Sequence, residues 1–151
     1  MPSSPRSGKF LGTSPAERPV VALLAESGRA VGLGHVRRSL ALAQALAPWA
    51  DCRLLLHGDT GVAVPDHGPG LSCLPVGDIE DVFTVLRTIG AAALVVDSYA
   101  VSAAELEQAR TRVRLLVAMD DTASFPLPAH VVVNSALGVD PPWPDNGTLY
   151  L

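Results

Sequence analysis

The unbroken apolar run Val20 to Ala25 passes through the turn Gly32-Leu33-Gly34-His35 into a helical pattern, and that unit restricts the fold more than any other feature of the sequence. A short run with no polar alternation is the pattern of a strand buried on both faces of a parallel sheet. From Val36 the apolar positions Val36, Leu40, Ala43 and Ala47 fall on one stripe, widened by Leu42 and Leu46, while Arg37, Ser39 and Gln44 lie off it. Gly32 and Gly34 thus sit in the turn, where glycine permits positive φ and close approach of the backbone. The helix start directs free N–H groups and a partial positive charge to the space above the sheet edge, a place for an anionic or polyhydroxylated ligand. His35 falls in the first turn of that helix. A neutral imidazole there is a candidate general base; the plainer alternative is a histidine that only hydrogen-bonds the turn.

The alternation continues down the chain. Cys52 to Leu56 reads as a second strand, His57 to Gly70 as a turn-rich stretch, and Leu71 to Leu74 as a brief third strand. Ile79 to Thr88 has helical spacing and ends at Gly90, a C-cap residue. Ala93 to Val96 is the strongest strand pattern and runs into Asp97-Ser98-Tyr99; Ser102 followed by Glu105 is a capping-box pattern for the next helix. Val113 to Met119 and His130 to Val133 complete the strands, ending at Asp120-Asp121 and Asn134. Strands alternating with helices predict an α/β, Rossmann-like parallel sheet with helices on both faces, and such sheets bind ligands at the carboxyl ends of their strands. His35, Asp97, Tyr99, Asp120, Asp121 and Asn134 all fall on that edge.

Composition narrows the function. A chain of 151 residues holds one ordinary domain. With 48% hydrophobic and 17% charged residues it is globular in character, and no apolar run is long enough to span a bilayer. The formal net charge of −4 gives no basic footprint, so a nucleic-acid partner is not expected, and Arg37-Arg38 is too small a cluster to change that. Cys52 and Cys73 lack any zinc spacing, so no metal or cofactor is expected; they read as buried free thiols, which with the lack of an export signal points to the cytoplasm.

Each remaining edge residue has two readings. Asp97 and Tyr99 can orient a sugar hydroxyl or a water, or Asp97 can cap the turn while Tyr99 packs with its hydroxyl at the surface. Asp120-Asp121 can pair a base with a metal or a substrate hydroxyl, but a solvated turn is the expectation, because adjacent carboxylates at a strand end diverge and repel. Asn134 can fix a ligand amide or hold a loop. His57 and His67 read as loop residues and His130 as structural.

Taken in order, Gly-Leu-Gly-His-x-x-Arg-x-x-x-Leu-Ala after the first strand, Val-Val-Asp-Ser-Tyr, Asp120-Asp121 and Asn134 resemble the amino-terminal half of the PseG/SpsG family over about Val20 to Asn134. That family includes the UDP-sugar hydrolase of pseudaminic acid biosynthesis, which removes UDP from a diacetamido-trideoxy-altrose. The resemblance implies a GT-B architecture, in which two Rossmann-like domains face each other across a cleft. It implies His35 as the catalytic base that activates a water, Tyr99 as a residue lining the site, and Gly32, Gly34, Arg38, Asp97 and Asn134 as substrate-binding candidates. Arg38 can equally support the turn through a carboxylate partner. The implied partner is a UDP-linked amino-deoxy sugar, with a second domain or chain completing the cleft. His130 stands where the family often has an acidic residue.

On this reading residues 1–18 form a disordered tail, 19–137 the Rossmann-like domain, and 138–151 the start of a linker to a carboxyl-terminal domain. The segment containing Trp143, Leu149, Tyr150 and Leu151 is then expected to be poorly anchored. Two other functions fit the same pattern: a GT-B glycosyltransferase of surface polysaccharide synthesis, in which His35 deprotonates an acceptor hydroxyl, and a non-catalytic domain that binds a sugar or a partner chain.

Overall fold

In a computed structural model of the chain, the described residues are 18–29, 31–58, 64, 67, 70–122, 126–134 and 147–151. The expected tail, apart from Arg18, and Trp143 lie outside them. Seven parallel strands form one sheet: β1 (Val20–Ser27), β2 (Asp51–Gly58), β3 (Ser72–Val76), β4 (Ala93–Asp97), β5 (Leu115–Met119), β6 (Val131–Val133) and β7 (Leu149–Tyr150). Their order is β3-β2-β1-β4-β5-β6-β7. Among the described residues three helices lie between them: α1 (Gly34–Leu46), α2 (Ile79–Ile89) and α3 (Ala103–Arg110). The architecture is the expected α/β, Rossmann-like one.

Alternation along β1 sets the layers. Val21, Leu23 and Ala25 join a core with Val36, Leu40 and Ala43 of α1. Ala22 and Leu24 face the opposite core, with Val82, Phe83 and Leu86 of α2 and Leu106 and Ala109 of α3. Both faces of the central strands are thus covered, which is why those strands read as continuous apolar runs. Leu23, Leu54, Leu94 and Leu116 are fully shielded from solvent.

The strand order reverses between β1 and β4. The chain leaves β1 through α1 on one face, and α2 returns it to β4 on the other, so the carboxyl ends of β1 and β4 part to form a crevice. Register places Ala25 of β1 beside Asp97, the last residue of β4, while β1 runs on to Ser27 along β2.

Local signals explain most element ends. Asp78 caps α2, its side chain accepting from the Asp81 N–H at 3.0 Å, and Gly90 closes that helix in the left-handed conformation. Ser102 and Glu105 form the expected capping box at α3. Two expectations need correction. Gly34, expected in the turn, is instead the first residue of α1, and His35 follows it in the first turn of the helix. The end of the chain is also anchored: Leu149 and Leu151 donate backbone N–H bonds to His130 and Val132 at 3.0 and 2.9 Å, and Asn134 donates to Leu151 at 2.9 Å. β7 is only two residues long, and its pairing with β6 supplies the order.

Candidate functional site

Gly32 adopts φ +79°, a conformation that favours glycine, and its N–H closes the turn onto the Gly28 carbonyl at 2.7 Å. The turn delivers the chain into α1, whose N-cap residue, Leu33, provides no side-chain cap and whose first turn carries no acidic residue. Neither the cap nor the first turn of this helix thus supplies a carboxylate of its own. Among the described residues, Gly34 has no neighbour within 4 Å of where a Cβ would stand.

His35 is buried although polar, with a side chain 8% exposed. Its Nδ1 lies 2.5 Å from Oδ1 of Asp97, the last residue of β4, itself 2% exposed. Two acceptors at that separation would repel, so a proton lies between them and Nδ1 donates to the carboxylate. In the neutral ring the lone pair is then on Nε2. Such a carboxylate–imidazole pair fixes the tautomer and stabilises the imidazolium that forms when Nε2 takes a proton.

Arg38, one turn further along α1, ties this pair to the next strand. Its Nε and one terminal nitrogen donate to both oxygens of Asp97 at 2.7 and 2.6 Å, and its two terminal nitrogens donate to both oxygens of Asp121 at 2.9 Å each. A guanidinium carries five N–H donors in a planar fork, which suits it to bridge two carboxylates. Hydrogen bonds to Asp97 and then Asp121 push its pKa further above an already high range, so it stays charged.

Tyr99, just beyond β4, completes the group. Its ring meets that of His35 edge-on, with centroids 4.9 Å apart and planes at 83°, and its hydroxyl donates to Asp121 at 3.2 Å. Partial burial, then the charge of Asp121, raises its pKa above the usual phenol value, so the hydroxyl remains a donor at neutral pH. The ring is nonetheless 60% exposed. Val31, Gly34, His35, Arg38, Tyr99 and Asp121 line an open hollow of about 500 Å³ at the crevice.

The structure thus gathers Gly34, His35, Arg38, Asp97 and Tyr99, with Gly32 in the adjoining turn. Asn134 is not among the residues lining the hollow; it lies past β6, two strands from β4, where its backbone pairs with Leu151. The expected solvated turn at Asp120-Asp121 is corrected for both residues. Asp120 is buried and accepts from the N–H and hydroxyl of Thr122 at 2.9 and 3.0 Å, while Asp121 joins the site. The divergence of adjacent carboxylates, which argued for solvent, is what sends Asp121 towards Arg38.

No protein-family model and no curated protein matches the chain. Among solved structures, it is similar to the C-terminal domain of the coenzyme A biosynthesis bifunctional protein CoaBC, with a TM-score of 0.42 and 10% identity over 68% of this chain. The alignment spans 63% of that domain's length. Among the described residues, no helix is long and apolar enough to cross a membrane.

The open space at Gly34 gives a direct test of ligand approach to the helix start. Gly34→Ala is expected to leave the melting temperature unchanged or slightly raised, since alanine favours a helix over glycine by about 1 kcal/mol. Affinity for a ligand seated at the helix start should fall about tenfold as the methyl group intrudes on close backbone approach. Thermal unfolding and ligand titration of the same variant check both halves.

Proposed function

We propose that this domain is the water-activating half of a nucleotide-sugar hydrolase of GT-B architecture, acting on a UDP-linked amino-deoxy sugar. The observation that carries the reading is the His35–Asp97 pair at the crevice between β1 and β4, with His35 lining an open hollow. The ordered resemblance to the PseG/SpsG family supplies the substrate class.

In the proposed reaction, Nε2 of His35 removes a proton from a water molecule as its oxygen bonds to the anomeric carbon. The bond from that carbon to the diphosphate oxygen breaks, and its electron pair leaves with UDP. Asp97 keeps Nδ1 protonated and balances the imidazolium. Tyr99 offers an exposed aromatic face beside the imidazole, suited to the apolar face of a sugar ring.

Charge divides the substrate. Asp97 and Asp121 outweigh Arg38, whose donors are already engaged by them, so this half suits the sugar better than a diphosphate. The α1 start is the feature here that favours an anion, and stabilising a departing diphosphate calls for more donors than one helix start offers. A second domain facing this edge would supply them, so residues 1–151 alone are expected to release UDP at a rate near background.

Hydrolysis in ¹⁸O-labelled water tests the reading, with this domain joined to the polypeptide that completes its cleft. The label should enter the sugar hydroxyl at the anomeric carbon, with none in UDP and no acceptor alcohol required. Label in the phosphate would exclude attack at carbon. UDP release that depends on an added acceptor sugar would assign the site to a glycosyltransferase instead.

A further inference from the structure

One carboxylate at the crevice plays no part in the reaction above. Glu26 stands near the end of β1, opposite His57 of β2 in register, and is partly buried. Its Oε2 accepts from three groups of the segment following β4: the Ser98 hydroxyl at 3.0 Å, the Tyr99 backbone N–H at 2.8 Å and the Ala100 backbone N–H at 3.3 Å. The Ser98 hydroxyl oxygen also accepts from the Ala100 N–H at 3.1 Å, closing the turn on itself. Successive backbone N–H groups in a turn form a concavity suited to an anion, and here the protein fills it with its own carboxylate.

We infer that Glu26 is a positioning residue: by gathering Ser98, Tyr99 and Ala100 on one oxygen, it holds the Tyr99 ring edge-on to His35. The need for such a device follows from the exposure of Tyr99. A ring 60% open to solvent has little packing to fix it, and its own tethers are the contact with His35 and the bond from its hydroxyl to Asp121. Those tethers act at the ring and its tip. Glu26 acts at the other end, on the backbone from which the side chain springs, and so fixes where the ring begins. Charge-assisted bonds from backbone N–H groups are stronger than neutral ones, so a carboxylate does this better than an amide. The loop between β4 and α3 is thereby tied across to β1, the strand that leads to His35, and the base and the aromatic face share one frame. The inference deepens the proposed function, because the gain from a fixed Tyr99 is a sugar ring held beside His35.

The test compares Glu26→Ala, Glu26→Gln and Glu26→Asp with the unchanged protein by NMR, with no substrate present. The edge-on Tyr99 ring shifts the ring-proton signals of His35, and those signals report its place directly. In Glu26→Ala they should move towards those of a histidine with no aromatic neighbour, and the Tyr99 and Ala100 amides should exchange about tenfold faster or more. The amides of Leu94, Val95 and Val96 should keep their protection, a readout of the intact sheet. Glu26→Gln, which keeps an acceptor oxygen without the charge, should show a smaller change and serves if the alanine variant does not fold. Glu26→Asp should recover only part of the order, its side chain being one carbon shorter. Titration with a UDP-linked amino-deoxy sugar should then show about tenfold weaker binding in Glu26→Ala. Unchanged His35 signals and unchanged exchange at Tyr99 and Ala100 in both the alanine and glutamine variants would overturn the inference. Altered signals in a protein whose unchanged form binds no such sugar would leave the positioning role standing and remove the proposed substrate instead.

Discussion

Asp97→Ala is expected to destabilise the fold by about 3 kcal/mol, the lower end of the range for breaking a buried charge pair. The carboxylate is almost wholly enclosed and satisfies both His35 and Arg38. Its removal leaves the imidazole Nδ1–H without that acceptor in a nearly closed site. Arg38 fares better, since its side chain is 30% exposed and keeps Asp121, which is why the upper end of the range is not expected. Asp97→Asn separates the two roles. An amide oxygen still accepts from Nδ1, but the guanidinium loses one of its two anionic partners and keeps Asp121, so the loss should be about 1.5–2 kcal/mol, the lower part of the range for a hydrogen bond to a charged group. Urea unfolding of the two variants gives both numbers. A cost below that of Asp97→Asn in the alanine variant would mean that the network does not contribute to holding the fold.

His35→Ala is expected to lower UDP release by about a hundredfold or more, the usual contribution of a positioned general base. The loss should fall on kcat more than on KM, because a base acts as the proton moves rather than when the sugar binds. His35→Gln sharpens the test: glutamine keeps polarity and length but takes no proton at neutral pH, so it should restore little. Steady-state rates of this domain joined to the polypeptide proposed to complete its cleft are the measurement, and a variant within a factor of three of the unchanged protein would remove His35 from the proposed chemistry.

The sheet was legible because its central strands are buried on both faces. Leu23, Leu54 and Leu94 each lie inside an apolar run that amphipathic helices flank, and no tertiary contact was needed to read them. Strand ends depend on more than their own residues. Pro75 at the margin of β3 and the two residues of β7 carry weak patterns, and pairing with a neighbour decides them. Of the site, His35 and Tyr99 were visible because each follows a strand that stands out. Glu26 was not, and Asp121, although placed on the same edge, was expected in a solvated turn. Their importance depends on which strands lie side by side, β4 beside β5 and beside β1, and strand order is a property of the whole fold. An acidic residue at the end of a buried run is the trace both leave in the sequence: Glu26 after Ala25, Asp121 after Met119 and Asp120. Arg38 shows the same limit from the other side, since its charge was plain but its engagement with two carboxylates requires β4 and β5 to be placed.

The central claim is that Asp97 holds the His35 imidazole with the proton on Nδ1 and the lone pair on Nε2. Nitrogen-detected NMR of the ¹⁵N-labelled imidazole, followed through a pH titration and assigned with His35→Gln, reads the tautomer directly. The account predicts a neutral ring protonated at Nδ1, with Asp97→Ala releasing it to a mixture of the two forms. A neutral ring protonated at Nε2 in the unchanged protein would contradict it, because that nitrogen would then have no lone pair with which to take a proton from water.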